Sequence, residues 1–310
     1  MRVVGRVVGV VAVVAGLVTV LLPAVATPAG AHAGGLSSSS SEAVVLGLEP
    51  AVPGLSVRAV EFGARLRLDN ATGSTVVVEP VPGSVVSGLP TVEPGGTAFW
   101  ADPRITAAAT AERPAGEVSA WAVPLRVDGR AVTVLGEQRR PPPPPAALWW
   151  AAAGLALLVP AVAGVLGAGR RWGRFVLAGA TAVVIAAHLL HVLGSAGVPQ
   201  DQPYALMLLS AAGYALLGWP LGAIGAWLTL RGNVVGPLLC CAAGGLFAVV
   251  IAPIDAFTLV DAVVPFSWGA DLDRALVALT LGGGLGVAVA GVAALRRGQL
   301  PAPAPATDPT

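Results

Sequence analysis

Residues 141–174 read PPPPPAALWWAAAGLALLVPAVAGVLGAGRRWGR, and this stretch decides the architecture. Its unbroken proline run, at 141–145, can neither pair in a sheet nor continue a helix, so it predicts a stiff extended spacer over 139–146. Trp149 and Trp150 come next, amphipathic aromatics of the kind that settle at a membrane–water boundary. The apolar run from about 147 to 168 carries no charge and is long enough to cross a hydrocarbon core of about 30 Å. Arg170, Arg171 and Arg174 close it. A rigid spacer, interfacial aromatics, an uncharged run and a knot of positive charge together describe entry into a membrane.

Toward the C-terminus, four further apolar runs occupy about 175–193, 204–230, 234–254 and 275–295, which predicts a five-helix α-helical transmembrane bundle over 147–297. The charges between the runs alternate. Arg170, Arg171 and Arg174 lie between the first and second, Arg231 between the third and fourth, and Arg296 and Arg297 after the fifth. The other connections hold Asp201, Asp255, Asp261, Asp271 and Asp273, with Arg274 the lone basic exception. Arginine-rich loops stay in the cytoplasm, so the pattern predicts a multi-pass plasma-membrane protein with its C-terminus inside and the preceding domain outside. Composition agrees: 55% of the 310 residues are hydrophobic and 11% are charged, against about 25% charged in soluble domains. The lipid bilayer is thus the first partner. All 18 basic residues are arginine and the net charge is +1, which gives no electrostatic case for a nucleic-acid partner. Pro160 and Pro220 are expected to bend the first and third spans, while Gly218, Gly222, Gly225, Gly282 and Gly286 offer small-residue faces for close helix approach. The partly apolar connection 255–274 is expected to lie along the outer interface, anchored by Phe266 and Trp268. Residues 298–310, rich in proline and alanine, read as a disordered cytoplasmic tail.

Toward the N-terminus the pattern changes to a period of two. In 56–61 (SVRAVE) and 64–69 (ARLRLD) apolar and polar residues alternate, as on a half-buried strand. The run 75–79 (TVVVE) comes after the turn-rich 70–73 (NATG), which predicts a hairpin. Asp128-Gly129, between 125–127 and 131–134, is the strongest short hairpin signal. With no helical period in about 95 residues, 43–138 is predicted to be an extracytoplasmic antiparallel β-sandwich that the proline spacer lifts off the membrane. It has no cysteine, so its own core must hold it; Cys240 and Cys241 are adjacent and lie within an apolar run. Residues 1–33 read as a secretory signal peptide: Arg2 and Arg6 precede the apolar run 7–22, and beyond it lie two sites for cleavage, Ala31-His32-Ala33 and Ala29-Gly30-Ala31. Cleaved or kept as an anchor, the signal delivers the β-type region to the outside. A flexible Gly/Ser-rich leader, 34–42, connects it to the sandwich.

The side chains with most chemical potential are His188 and His191 in the second span. A spacing of three puts both imidazoles on one helix face, and polar groups at that depth face the bundle interior. With Asp255, at the outer end of the fourth span, they compose a candidate metal site, since imidazoles and a carboxylate suit copper or zinc, or the passage of protons. The plainer reading is a pair of histidines near a helix end that bond backbone or water. His32 would chelate copper through its amine and ring if cleavage made it the first residue; otherwise it leaves with the signal. Cys240-Cys241 would be a soft ligand pair, or simply small buried side chains. Asn70-Ala71-Thr72 matches a glycosylation acceptor but reads better as turn chemistry. No phosphate-binding glycine loop, zinc-protease motif or nucleophile elbow occurs, so no enzymatic activity is expected.

Four stretches carry a resemblance: 50–57 (PAVPGLSV), 66–73 (LRLDNATG), 123–130 (VPLRVDGR) and 274–282 (RALVALTLG). With the signal, the small exported β domain and the proline-rich link to about five spans, the chain resembles a family of uncharacterised membrane proteins from actinobacteria. The resemblance implies placement and architecture and supplies no reaction. Longer members carry a Trp-His-Asp-His-Arg element where this chain has Trp100-Ala101-Asp102-Pro103-Arg104, so no ligand role is carried over. The expectation is therefore a non-enzymatic integral membrane protein of the cell envelope whose β domain senses the exterior or binds an envelope protein partner. The alternative is copper or other metal handling through His188, His191 and Asp255.

Overall fold

In a computed structural model, which describes residues 36–80, 89–110 and 114–298, a β domain precedes a group of apolar helices. The expected signal, with His32, and the expected tail beyond Gly298 lie outside the described residues. The strands are β1 (Glu42–Glu49), β2 (Leu55–Val60), β3 (Arg65–Asn70), β4 (Val76–Val78), β5 (Thr91–Val92), β6 (Thr97–Trp100), β7 (Val118–Val127) and β8 (Arg130–Arg139). One sheet runs β1-β8-β7-β4-β5 and the other β2-β3-β6, and the pairings are antiparallel. Alternation along β7 and β8 turns Trp121, Val123, Leu125, Val132 and Val134 inward, where they share one core with Leu55, Leu66, Leu68 and Trp100 of the smaller sheet. The two sheets therefore form a sandwich. Gly136 stands opposite Trp121 in the ladder, and a Cβ there would run into the indole. Asp128 (φ 50) and Gly129 (φ 73) make the expected two-residue turn between β7 and β8.

Two local expectations fail for identifiable reasons. The turn at 70–73 does not close a hairpin: β3 pairs with β2 and β6, whereas β4 pairs with β5 and β7, so the chain crosses between sheets there. Asn70 holds the crossing, donating to the carbonyls of Ser74 and Val92 (2.9 Å each) and accepting from the Thr72 hydroxyl at 2.6 Å. Its side chain is wholly spent on turn geometry. The second miss is a short helix, α1 (Pro103–Thr110), in a region where no helical period is expected. Asp102 caps it, accepting the Arg104 backbone N–H at 3.0 Å, and Pro103 supplies the preset first helical residue.

After the spacer come α2 (Ala146–Gly167), α3 (Arg171–Ala196), α4 (Tyr204–Ala212), α5 (Ala215–Leu230), α6 (Gly236–Gly245), α7 (Ala252–Asp255) and α8 (Ala270–Gly298), with a π-helical turn, Leu246–Ile251, between α6 and α7. Pro253 in α7 has no N–H to return to the preceding turn, which explains the widening just before it. Four segments are long and apolar enough to cross a membrane: α2, α3, Gly236–Leu259 and Ala270–Arg297. The pair α4 and α5 qualifies only as one unit, bent by 68°. Its break lies at Gly213 (φ 44, ψ −124), a backbone shape that suits a residue without Cβ, and Pro220 sits inside unbroken α5. The architecture fits a multi-pass membrane protein. Leu155, Leu158, Val159 and Val162 of α2 are each more than half exposed, an apolar flank that lipid would cover. The expected small-residue contacts are present. On α8, Gly282 meets the Ala153 backbone and Gly286 meets Leu157 and Pro160; on α5, a Cβ at Gly225 would come 2.8 Å from the Cys240 nitrogen.

The proline spacer does not hold the sandwich clear of the helices, as the sequence reading expects. Arg65, at the start of β3, forks onto Asp201 between α3 and α4 with contacts of 2.6 and 2.7 Å. It also grips Glu61, whose carboxylate accepts the Gln200 N–H at 3.1 Å. Ahead of β1, Ser39 and Val263 exchange two backbone hydrogen bonds of 2.9 Å, and the Ser38 hydroxyl donates to Asp261 at 2.6 Å. The head sits directly on the connections of the bundle.

Candidate functional site

His188 and His191 lie on one side of α3 and are both buried, as their spacing predicts. Their ring centroids are 5.9 Å apart and tilted by 45°, and each ring faces different neighbours. His188 turns toward α5 and the π-helical turn, with ring centroids 5.8 Å from Trp219 and 5.3 Å from Phe247. His191 turns toward the head end and stands between two buried carboxylates. Its Nδ1 is 2.6 Å from Asp273 Oδ1, and its Nε2 is 3.5 Å from Asp255 Oδ2. Asp255 ends α7, and Asp273 lies in the first turn of α8, where the helix dipole favours a negative charge. Asp273 is 0% exposed. Polar groups at this depth are expensive unless hydrogen-bonded, and His191 supplies a partner to each carboxylate.

The connection between α7 and α8 covers this cluster. Phe266, expected as an interfacial anchor, is instead 1% exposed, and its ring stacks on His191 at 6.1 Å and 10°. Gly194 allows this, because a Cβ there would collide with the Phe266 ring. Trp268 remains half-exposed. Ser267 donates its hydroxyl to the Gly194 carbonyl at 2.7 Å. Arg274, the basic exception among the acidic connections, is buried and donates to the carbonyls of Thr258 (3.0 Å) and Asp261 (2.8 Å). Its charge serves to stitch the cover to α8. The strap at Ser38 and Ser39 then joins the cover to the head, so the sandwich, the cover and the buried cluster form one continuous set of contacts.

Sequence reasoning finds His188, His191 and Asp255 and misses Asp273, Phe266 and Arg274. Among the described residues no group of three histidine, cysteine or acidic side chains is placed to hold a metal ion. The Nδ1 of His188 and the Oδ2 of Asp273 have no hydrogen-bond partner among the described residues, which marks the region as polar beyond what packing needs. At Trp100–Arg104 the chemistry is structural. Asp102 accepts from Trp100 Nε1 at 3.0 Å and from Arg104 Nε at 2.7 Å. Burial pushes its carboxyl upward, and these hydrogen bonds outweigh that, leaving it below the usual carboxylate range. Cys240 lies 3.6 Å from the Thr229 hydroxyl, inside the bundle, with Cys241 beside it half-buried. No protein-family model, curated protein or solved structure matches this chain.

Proposed function

We propose that this is a non-enzymatic, five-span protein of the cell envelope whose exported sandwich senses the exterior or binds a protein partner and passes that state to the bundle. The orientation rests on the arginine distribution, with α4 and α5 counted as one bent span and the head outside. The observation that carries the reading is the strap: Ser39 pairs with Val263 in the cover over His191, so a displacement of the head pulls on the element that closes the buried cluster. The test uses Ser39→Cys with Val263→Cys, a pair of directly opposed strand positions within disulfide reach, in a chain with Cys240 and Cys241 replaced by alanine. Crosslinking in intact membranes is then compared for locked and reduced protein. A specific partner whose recovery changes at least severalfold on locking supports the reading; no specific partner, or equal recovery in both states, removes it. Alkaline phosphatase fusions test the orientation separately and are expected to be active at Gln200 and silent at Arg171.

Metal handling is the second reading, and one observation favours it. Asp273 orients His191 through Nδ1, which leaves Nε2 facing Asp255, the arrangement by which carboxylates position metal-binding imidazoles. It predicts stoichiometric copper or zinc in purified protein, lost in His191→Ala. A metal-free preparation after growth with both ions disposes of it.

A further inference from the structure

At the end of the bundle opposite the sandwich, α2, α3, α8 and the turn between α5 and α6 enclose a cavity of about 520 Å³. Its walls include Leu177, Leu238 and Ala290, and its lining also includes Arg170, Arg174 and Arg297. A second groove of about 480 Å³ runs along α2 and α8, from Val165 and Val292 to Arg296 and Arg297. Arg297 borders both.

The start of α3 and the end of α8 bring these three arginines to the lining of one cavity. Arg174 reaches from α3 to the turn before α6, where a Cβ on Gly232 would come 2.5 Å from its Nη1. Arg297, on the last turn of α8, lies beside Gly169 in the turn between α2 and α3. Arg170 stands immediately before α3 and donates to the Leu166 carbonyl. Among the described residues none of the three forms an ion pair, and the segments 168–177, 229–238 and 288–297 contain no aspartate or glutamate. Like charges gathered without a counter-charge repel one another, and the shared remedy is an anion. Guanidinium forks match the oxygens of a phosphate in pairs. A small hydrated anion would gain nothing from apolar walls and a groove along the lipid-facing flank, whereas an acyl chain would.

The geometry points to a binding site for an anionic phospholipid, its phosphate among Arg170, Arg174 and Arg297 and an acyl chain along the groove between α2 and α8. Neither the threading of the chain through the membrane nor the role of the head enters this inference, so it stands or falls apart from them. Full-length protein in a neutral detergent is titrated with dioleoyl phosphatidylglycerol, dioleoyl phosphatidylcholine and inorganic phosphate, with binding read by native mass spectrometry and melting shift. Saturable uptake of phosphatidylglycerol is expected, with the zwitterionic lipid bound at least tenfold more weakly. The triple variant Arg170→Gln, Arg174→Gln, Arg297→Gln should bind about a hundredfold more weakly, from about one kcal/mol for each arginine near a lipid surface. Arg231→Gln, whose guanidinium lies 4.1 Å from the Trp227 ring centroid and borders neither cavity, should bind as the unaltered chain does. Equal binding of the two lipids overturns the proposal without recourse to any variant. Undiminished binding in the triple variant also overturns it, and stabilisation by inorganic phosphate equal to that by phosphatidylglycerol assigns the site to a free anion instead.

Discussion

His191 has more at stake than its neighbours because the charges it meets are out of reach of water. Removing Asp273 leaves the buried His191 Nδ1 without its hydrogen-bond partner, and an unsatisfied buried polar group costs about 1–3 kcal/mol. Asp273→Ala is therefore expected to lower stability by about that amount, read from the melting of the full chain in detergent; a loss under about 1 kcal/mol would show that the contact between Asp273 and His191 does not hold the cluster together. Asp102 makes a smaller and differently timed contribution. Its carboxyl is held below its ordinary value of 3.8, so its stabilisation is complete above that value and fades as pH falls through the lowered one. Asp102→Ala should cost about 1–2 kcal/mol near neutrality, as loss of a helix cap does, and the variant should lose less stability than the parent as pH falls below 3.8, read from thermal melting. His188 and His191 could be read from the sequence because periodicity fixes which side of a helix a residue takes, and Asp255 because it stands at the outer end of the fourth apolar run. Asp273 could not, since beside Arg274 in a connection it reads as a surface charge until α8 is known to begin at Ala270.

At the scale of elements, apolar length is the dependable signal and local punctuation the weaker one. The runs beginning near 147, 175, 234 and 275 correspond to helices long enough to cross a membrane. Proline misleads within the third run because a membrane helix can absorb a missing N–H, whereas Gly213 reaches a backbone region that side chains exclude. Gly213→Val should thus destabilise by about 1–3 kcal/mol, visible as a lower melting temperature, while Pro220→Ala should shift it far less. The helix α1 is legible in principle: an aspartate before a proline is a standard helix start, and it escapes a search for periodicity because eight residues are too few to show a period. The crossing at Asn70 is not legible, since a turn-rich tetrapeptide serves a hairpin and a change of sheet equally well.

The relation of head to bundle is the part furthest from the sequence. Arg65 and Asp201 are 136 residues apart, and nothing local in either stretch announces the other. Paired with Arg65, Asp201 stays below the usual carboxylate range, so the contact should hold through neutrality and weaken only as pH falls under 3.8. Asp201→Arg is expected to unseat the head and to raise the rate of trypsin cleavage after Arg139, just ahead of the proline spacer, severalfold, with the exchange Arg65→Asp, Asp201→Arg restoring protection. Unchanged cleavage in the single variant would mean that this ion pair does not hold the head in place.

The strap also sets an order of events during synthesis. Ser38 bonds a residue 223 positions later, so the first described segment of the chain waits for almost the last before its own contact exists. Contacts of such separation close slowly, after the local pairings of the sandwich are made. The sandwich must therefore survive on its own core while the helices are still being made, and a nascent chain stalled before Asp261 would carry a finished head held through Arg65 and Glu61 with its strap still unpaired.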